Sequence, residues 1–230
     1  MFEIAAAAWM FPALFVMVFL GFPVAFSLFS VSLIFGYTIF GPALGAQLFG
    51  RILDISSNLI LAAIPLFVFM GAMLQSSGIA KRLFEATRVW LGRLPGGLSV
   101  TSIVMCAIFA ATSGIIGAVE IVVGLMAIPA MVSAKYSKDL ISGTICAGGA
   151  LGTIIPPSIV VVIYASIADM SVGDLFAGIM IPGAAMVVFF ILYILVRSWM
   201  NPAIAPPVPT EEFQIPLGPK LWLTFTALVP

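Results

Sequence analysis

Charged residues are so sparse along this chain that the intervals between them outline its elements. Uncharged, strongly apolar runs cover 4–50, 55–80, 94–119, 121–134, 140–168 and 175–196, and a last one opens at Leu221. A membrane-spanning helix takes about 20 residues. The first run is more than twice that length, and Gly21, Phe22 and Pro23 divide it into helices predicted near 4–20 and 24–40. A third helix is predicted over 58–76, with Pro65 as a kink. Residues 79–93 alternate charge with Leu, Phe, Val and Trp, which predicts an amphipathic helix lying in the membrane interface. The run 175–196 ends at Arg197 and Trp199, an interfacial anchor pattern.

Two segments break the helical pattern inside apolar runs. Residues 94–134 leave one side of the membrane and return to it, and their middle reads Ala111-Thr112-Ser113-Gly114-Ile115-Ile116-Gly117. Two geometries satisfy the charges there: two full spans, or a re-entrant hairpin turning at mid-depth. The second break runs from Gly148 to Ser158 and holds Gly148, Gly149, Gly152, Pro156 and Pro157. It interrupts a 29-residue uncharged run that would reach about 43 Å as a continuous helix. Glycines weaken the helix, and prolines remove N–H donors and clash with the preceding turn.

Composition sharpens the class. Of 230 residues, 63% are apolar and 8% charged, and mean hydropathy is +1.26. Soluble domains carry about 25% charge, so the chain is read as an all-α integral membrane protein with many spans. Nine basic and nine acidic residues give zero net charge, and there is no basic cluster of the kind that binds nucleic acid. Histidine is absent, which excludes histidine zinc sites, Ser-His dyads and histidine proton relays. An intramembrane protease is disfavoured too, since Asp174 in Val172-Gly173-Asp174 has no partner aspartate in an apolar helix. Cys106 and Cys146 sit in apolar runs as packing residues. No cofactor is expected.

The positions of the charges orient the chain. Lys81, Arg82, Arg88, Arg93, Lys135, Lys138 and Arg197 place 79–93, 133–139 and 197–219 in the cytoplasm. Asp169 and Asp174 bracket an outer loop, and Arg51 in an outer loop conflicts mildly with this arrangement. Glu3 stands where a signal peptide would be basic, so the first helix is expected to be retained. Residues 201–219 carry six prolines, with Glu211 and Glu212, and read as a polar linker. The stretch 221–230 begins another apolar segment, and the chain is read as truncated there.

Broken helices offer chemistry without charged side chains. The C-terminal end of a half-helix presents unpaired carbonyls suited to Na⁺, and the N-terminal end of the next presents N–H groups suited to a carboxylate. Thr112, Ser113, Thr153 and Ser158 add hydroxyl oxygens. Glu120 is an acid inside an apolar run; it reads equally as a protonatable or ion-binding group and as a carboxyl bonded to a neighbouring helix.

At these residues the chain resembles the large permease subunit of a TRAP (tripartite ATP-independent periplasmic) transporter of dicarboxylate type. The resemblance rests on GFPVAFSLF (21–29), AAIPLFVFMGAMLQSSGIAKRLF (62–84), RLPGGLSV (93–100), ATSGIIGA (111–118), SGTICAGGALGTIIPPSIV (142–160) and VGDLFAGIMIPG (172–183), and covers about 10–200. It implies a bacterial inner-membrane subunit of an elevator transporter built from two inverted repeats. Residues 1–200 would be the first repeat: 1–93 mainly scaffold and interfacial helix, 94–168 the transport-domain hairpin and broken helix, 169–200 a closing helix. The linker 201–219 would follow, and 220–230 would start the second repeat. The implied partners are a small membrane subunit, a periplasmic binding protein that delivers an organic acid, and the lipid bilayer, with Na⁺ as coupling ion. Carried over by motif, the hairpin tip is Thr112, Ser113 and Gly114, and the unwound helix is 149–158. The implied Na⁺ ligands, mostly backbone carbonyls, are Thr112, Ser113, Gly114, Gly149, Gly152, Thr153, Ile155 and Pro157. The implied substrate contacts are Ser113, Gly117, Pro156 and Ser158. The resemblance gives Glu120 no role. A chain lacking the second repeat would not transport alone, and a non-transporting assembly fragment of the same complex is the alternative.

Overall fold

The computed structural model describes residues 2–114 and 116–206, and the linker beyond Pro206 and the apolar stretch from Leu221 lie outside them. The described residues are helical throughout, with no strand. They fall into two compact units, one up to Asn58 and one from Leu59 on.

The first unit holds α1 (Phe2–Phe19), α2 (Val24–Phe40) and α3 (Leu44–Ser56). The gap between α1 and α2 falls at Gly21 and Pro23, as the pattern predicts, and α1 packs against α2. Between α2 and α3 lies a single 3-10 turn, Gly41–Ala43. Gly41 has φ +53°, open to glycine, and Pro42 has no N–H to continue the helix. The charge pattern did not resolve α3, because its first half shares one uncharged run with α2 and its second half carries Arg51 and Asp54, which read as a loop.

The second unit contains α4 (Ala63–Ser76), α5 (Ile79–Leu91), α6 (Gly97–Ser113), α7 (Ile116–Ser133), α8 (Lys138–Ile154), α9 (Ile159–Ile167) and α10 (Val172–Met200). The third predicted helix begins at Ala63 rather than 58, so Pro65 sits in its first turn, where a missing N–H costs nothing. It is a helix start and not a kink. α5 is amphipathic as read: Ala80, Leu83, Phe84 and Ala86 are buried, while Lys81, Arg82 and Glu85 are exposed.

α6 is the centre of this unit, packed by α4, α5, α7, α8 and α10. Leu98, Val100, Ile103, Met105, Cys106 and Ala110 are all at most 1% exposed. Two of its buried hydroxyls bond one turn back, Thr101 and Ser102 to the carbonyls of Gly97 and Leu98, each at 2.8 Å, and Ser99 donates across to Met131 Sδ of α7 at 3.4 Å. In lipid, apolar side chains gain little by leaving the solvent, so close packing of small residues holds such helices together. Gly148 gives α8 room beside the Cys106 side chain of α6, and Gly183 brings α10 close to Ile154 of α8.

Among the described residues, three helical stretches are long and apolar enough to cross a membrane: Val24–Ser56, Lys138–Ile167 and Val172–Met200. α6 and α7 are shorter, at 17 and 18 residues.

Candidate ion and substrate site

α6 and α7 form a hairpin whose two outer ends meet. The Leu98 N–H at the start of α6 donates to the Tyr136 hydroxyl just past α7, at 3.5 Å. The end of α10 joins the same place. Ser137 N–H donates to the Ile204 carbonyl at 2.8 Å, and Gly96 abuts Ser198 and Ile194. Arg93, Lys135, Lys138 and Arg197 therefore share one end of the unit.

From that end, α6 and α8 each run 17 residues, about 25 Å, before they stop. α6 stops at Gly114, whose φ of +61° belongs to the left-handed region where glycine is at ease. Its N–H donates to Ala110 O at 3.1 Å. α8 stops at Ile154, and Ile155 to Ser158 are non-helical before α9 resumes. The two stops touch: a Cβ on Gly114 would overlap the Pro157 carbonyl oxygen, so only glycine lets the hairpin tip approach this closely.

The break is shorter than the motif predicts. Gly149, Gly152 and Thr153 remain in α8, and the unwound segment is 155–158 rather than 149–158. The glycines serve a different purpose. A Cβ on Gly149 would overlap Cγ, Cδ and Oε1 of Glu120, so this glycine makes space for a carboxyl from α7. The prolines terminate the helix. In a continued helix the carbonyls of Gly152 and Thr153 would accept from residues 156 and 157, which are Pro156 and Pro157 and have no N–H. Ile155 N–H still donates to Leu151 O at 2.9 Å, the last bond of the helix.

The candidate hydroxyls line the two stops. Ser113 Oγ donates to Phe109 O at 2.8 Å, Thr112 Oγ1 to the same carbonyl at 3.0 Å, and Thr153 Oγ1 to Ala150 O at 2.6 Å. Each donates back into its own helix, which leaves oxygen lone pairs free to accept a cation. Ser158 Oγ is fully buried and has no hydrogen-bond partner. The donor set is oxygen throughout, which suits a hard cation.

The four candidate substrate residues are placed differently from one another. Ser113 and Ser158 are buried at the two stops. Gly117 is exposed on α7, with open space where a side chain would be. Pro156 lines an apolar cleft of about 350 Å³ against Ala107 and Ala111 of α6 and Met180 and Ala184 of α10, and that cleft includes none of the other three. The Glu120–Gly149 contact was missed in sequence, because it joins positions 29 apart on different helices.

A polytopic helical protein whose hairpin tip meets a broken helix has the architecture of a membrane carrier. Comparison with known proteins gives the family. The family model described as "Tripartite ATP-independent periplasmic transporter, DctM component" matches residues 11–212, and the chain belongs to this family. It is 34% identical over 186 residues to the C4-dicarboxylate TRAP transporter large permease protein DctM of Pseudomonas aeruginosa, covering 80% of this chain and 43% of that protein. To the ectoine TRAP transporter large permease protein TeaC of Halomonas elongata it is 32% identical over 197 residues, covering 84% and 44%. To the sialic acid TRAP transporter large permease protein SiaM of Vibrio cholerae it is 33% identical over 170 residues, covering 73% and 39%. The chain thus spans less than half the length of the curated relatives it matches. It is a multi-pass protein of the bacterial inner membrane.

Proposed function

We propose that this chain forms the first repeat of the membrane permease of a Na⁺-coupled secondary transporter that takes up an organic acid handed over by a periplasmic binding protein. The observation that carries the proposal is the meeting of Gly114 with Pro157, two helix stops reached over equal lengths from one end of the bundle. In this reading α6 and α7 are a re-entrant hairpin, and α8 and α9 are one unwound span. Non-helical backbone at membrane depth is tolerated where protein or a cavity surrounds it, and here the hairpin and the break cover each other.

The carbonyls of Gly152 and Thr153, released by the two prolines, supply Na⁺ ligands, with hydroxyl oxygens from Thr112, Ser113 and Thr153. Backbone at Gly114, Ile155 and Pro157 completes the candidate set, while Gly149, a turn before the stop, packs against Glu120 instead. The N-terminal end of α9, where Ser158 holds the N-cap position without a side-chain capping bond, presents N–H groups and the positive dipole end to a substrate carboxylate. An organic acid fits this polarity, and relatives named for C4-dicarboxylate, sialic acid and 2,3-diketo-L-gulonate support the class. Sodium lowers the cost of bringing a carboxylate to a site without a cationic side chain. An elevator displacement of the hairpin and broken helix, residues 94–168, and bracing by a small membrane subunit, complete the proposal.

The test is uptake in proteoliposomes by the complete permease carrying this sequence, with its small subunit and binding protein. Pro157→Ala restores an N–H opposite the Thr153 carbonyl, and Ser113→Ala removes a hydroxyl oxygen. Each should raise the Na⁺ concentration for half-maximal uptake by roughly tenfold, the worth of one ligand-strength polar contact. Unchanged sodium dependence in both variants overturns the assignment.

A further inference from the structure

The hairpin and the broken helix carry one charged side chain between them. Residues 94–134 and 140–168 contain no Asp, Glu, Lys or Arg apart from Glu120. Its carboxyl end lies on the backbone of α8, where Cγ, Cδ and Oε1 take the place that a Cβ of Gly149 would occupy. The neighbouring Gly148 receives the Cys106 side chain in the same way, so α6, α7 and α8 meet at this level. Glu120 is half-buried, and among the described residues no cationic side chain pairs with it.

Its position relates it to the helix stops. Gly149 precedes Gly152 and Thr153 by three and four residues on α8, about 4.5 and 6 Å along the axis. Those two residues own the carbonyls that Pro156 and Pro157 release. Glu120 is the fifth residue of α7, which starts at the hairpin tip, and helical side chains lean toward the N-terminus of their own helix. The side chain therefore leans toward the stops and away from the basic end. Lys138, at the start of α8, is eleven residues from Gly149, about 16 Å along the axis.

The two features complement each other. The candidate ligands at the stops are neutral carbonyls and hydroxyls, and an oxygen site holds a hard cation more tightly as its negative charge rises. A carboxylate inside an apolar bundle is costly unless a cation answers it. We infer that Glu120 is the fixed countercharge of the sodium site, acting through space and not as a ligand. This inference rests on the proposal that the helix stops bind Na⁺. At such a range, and at the effective dielectric of a protein interior, one unit charge strengthens cation binding by roughly tenfold or more.

Sodium binding without transport tests it. The complete permease carrying this sequence, purified with its small subunit, is titrated with NaCl at constant ionic strength against choline chloride, and the rise in thermal midpoint is followed. Glu120→Gln keeps the length of the side chain against Gly149 and removes the charge, whereas Glu120→Asp keeps the charge and shortens the side chain. Glu120→Gln should raise the Na⁺ concentration for the half-maximal shift roughly tenfold and leave the sodium-free midpoint at the level of the parent. Glu120→Asp should keep a sodium response close to that of the parent. Packing alone predicts the reverse order, since Gln fills the same space and Asp leaves a gap. That reverse order overturns the inference. So does a lowered sodium-free midpoint in Glu120→Gln with its sodium response intact, which would assign the carboxyl to a cationic side chain elsewhere in the permease. If Ser113→Ala and Pro157→Ala weaken the sodium response while Glu120→Gln does not, the site stands and the countercharge falls. If sodium shifts the midpoint of no version, the parent included, both fall.

Discussion

Glycine acts in this protein chiefly by omission. At Gly149 the missing Cβ is replaced by the Glu120 carboxyl, and at Gly148 by the Cys106 side chain. Two successive glycines thus seat α8 against two different helices. Gly149→Ala should destabilise the permease by about 1–3 kcal/mol, the usual cost of overpacking a rigid interior. The second change Glu120→Ala should recover most of that loss, because it removes the atoms that collide. A thermal-denaturation double-mutant cycle measures the coupling, and additive losses would show that the two residues are independent. The sequence offers a neighbouring helix as one of two readings of Glu120 but does not name its partner. The run Gly148-Gly149-Ala150-Leu151-Gly152 looks like helix-breaking chemistry, and it is helix-packing chemistry; only a partner 29 positions away distinguishes the two.

Helix ends set by backbone chemistry were legible. The gap at Gly21 to Pro23, the amphipathic α5 and the interruption at Pro156 and Pro157 all follow from local rules that act within four residues. Boundaries set by tertiary contacts were not, so α3 was unseen and α8 proved longer than its glycines suggested. The turn between α7 and α8 shows how such contacts work. Tyr136, outside the apolar segments and 6% exposed, accepts from Leu98 N–H and so ties the turn to the start of α6. Burial raises its phenol above the ordinary value of 10.0, with the Leu98 bond offsetting part of the rise. The folded state therefore holds the proton to higher pH than the unfolded state. The contribution is complete below about pH 10 and is lost as pH climbs through the folded value. Thermal midpoints followed from pH 9 to 11 should fall more steeply for the parent than for Tyr136→Phe. At neutral pH the variant should be weaker by about 1 kcal/mol, for the acceptor lost to Leu98.

At the scale of the whole molecule, the basic residues that orient the chain in sequence converge in space. Arg93, Lys135, Lys138 and Arg197 come from different connections, and the contacts of Leu98 with Tyr136, Ser137 with Ile204 and Gly96 with Ser198 draw those connections together. Asp174 follows the other end, past α9. This division predicts sidedness. With Cys106 and Cys146 replaced, Lys138→Cys should react with a membrane-impermeant thiol reagent only from the cytoplasm, and Asp174→Cys only from outside. Labelling of intact cells against inverted vesicles reads the result, and reversal would invert the topology. The match over 11–212 covers both units, so the family assignment rests on the first unit as well as on the hairpin and break.

The equal lengths of α6 and α8 have one more consequence. Two 17-residue rods starting from a common base work as a pair of matched rulers, and the junction at Gly114 and Pro157 exists only while both measure the same. One residue added to either would lift its tip by about 1.5 Å and swing it by about 100°, since a turn takes 3.6 residues. An insertion or deletion in one of these two helices therefore breaks the junction unless the other changes length by the same amount.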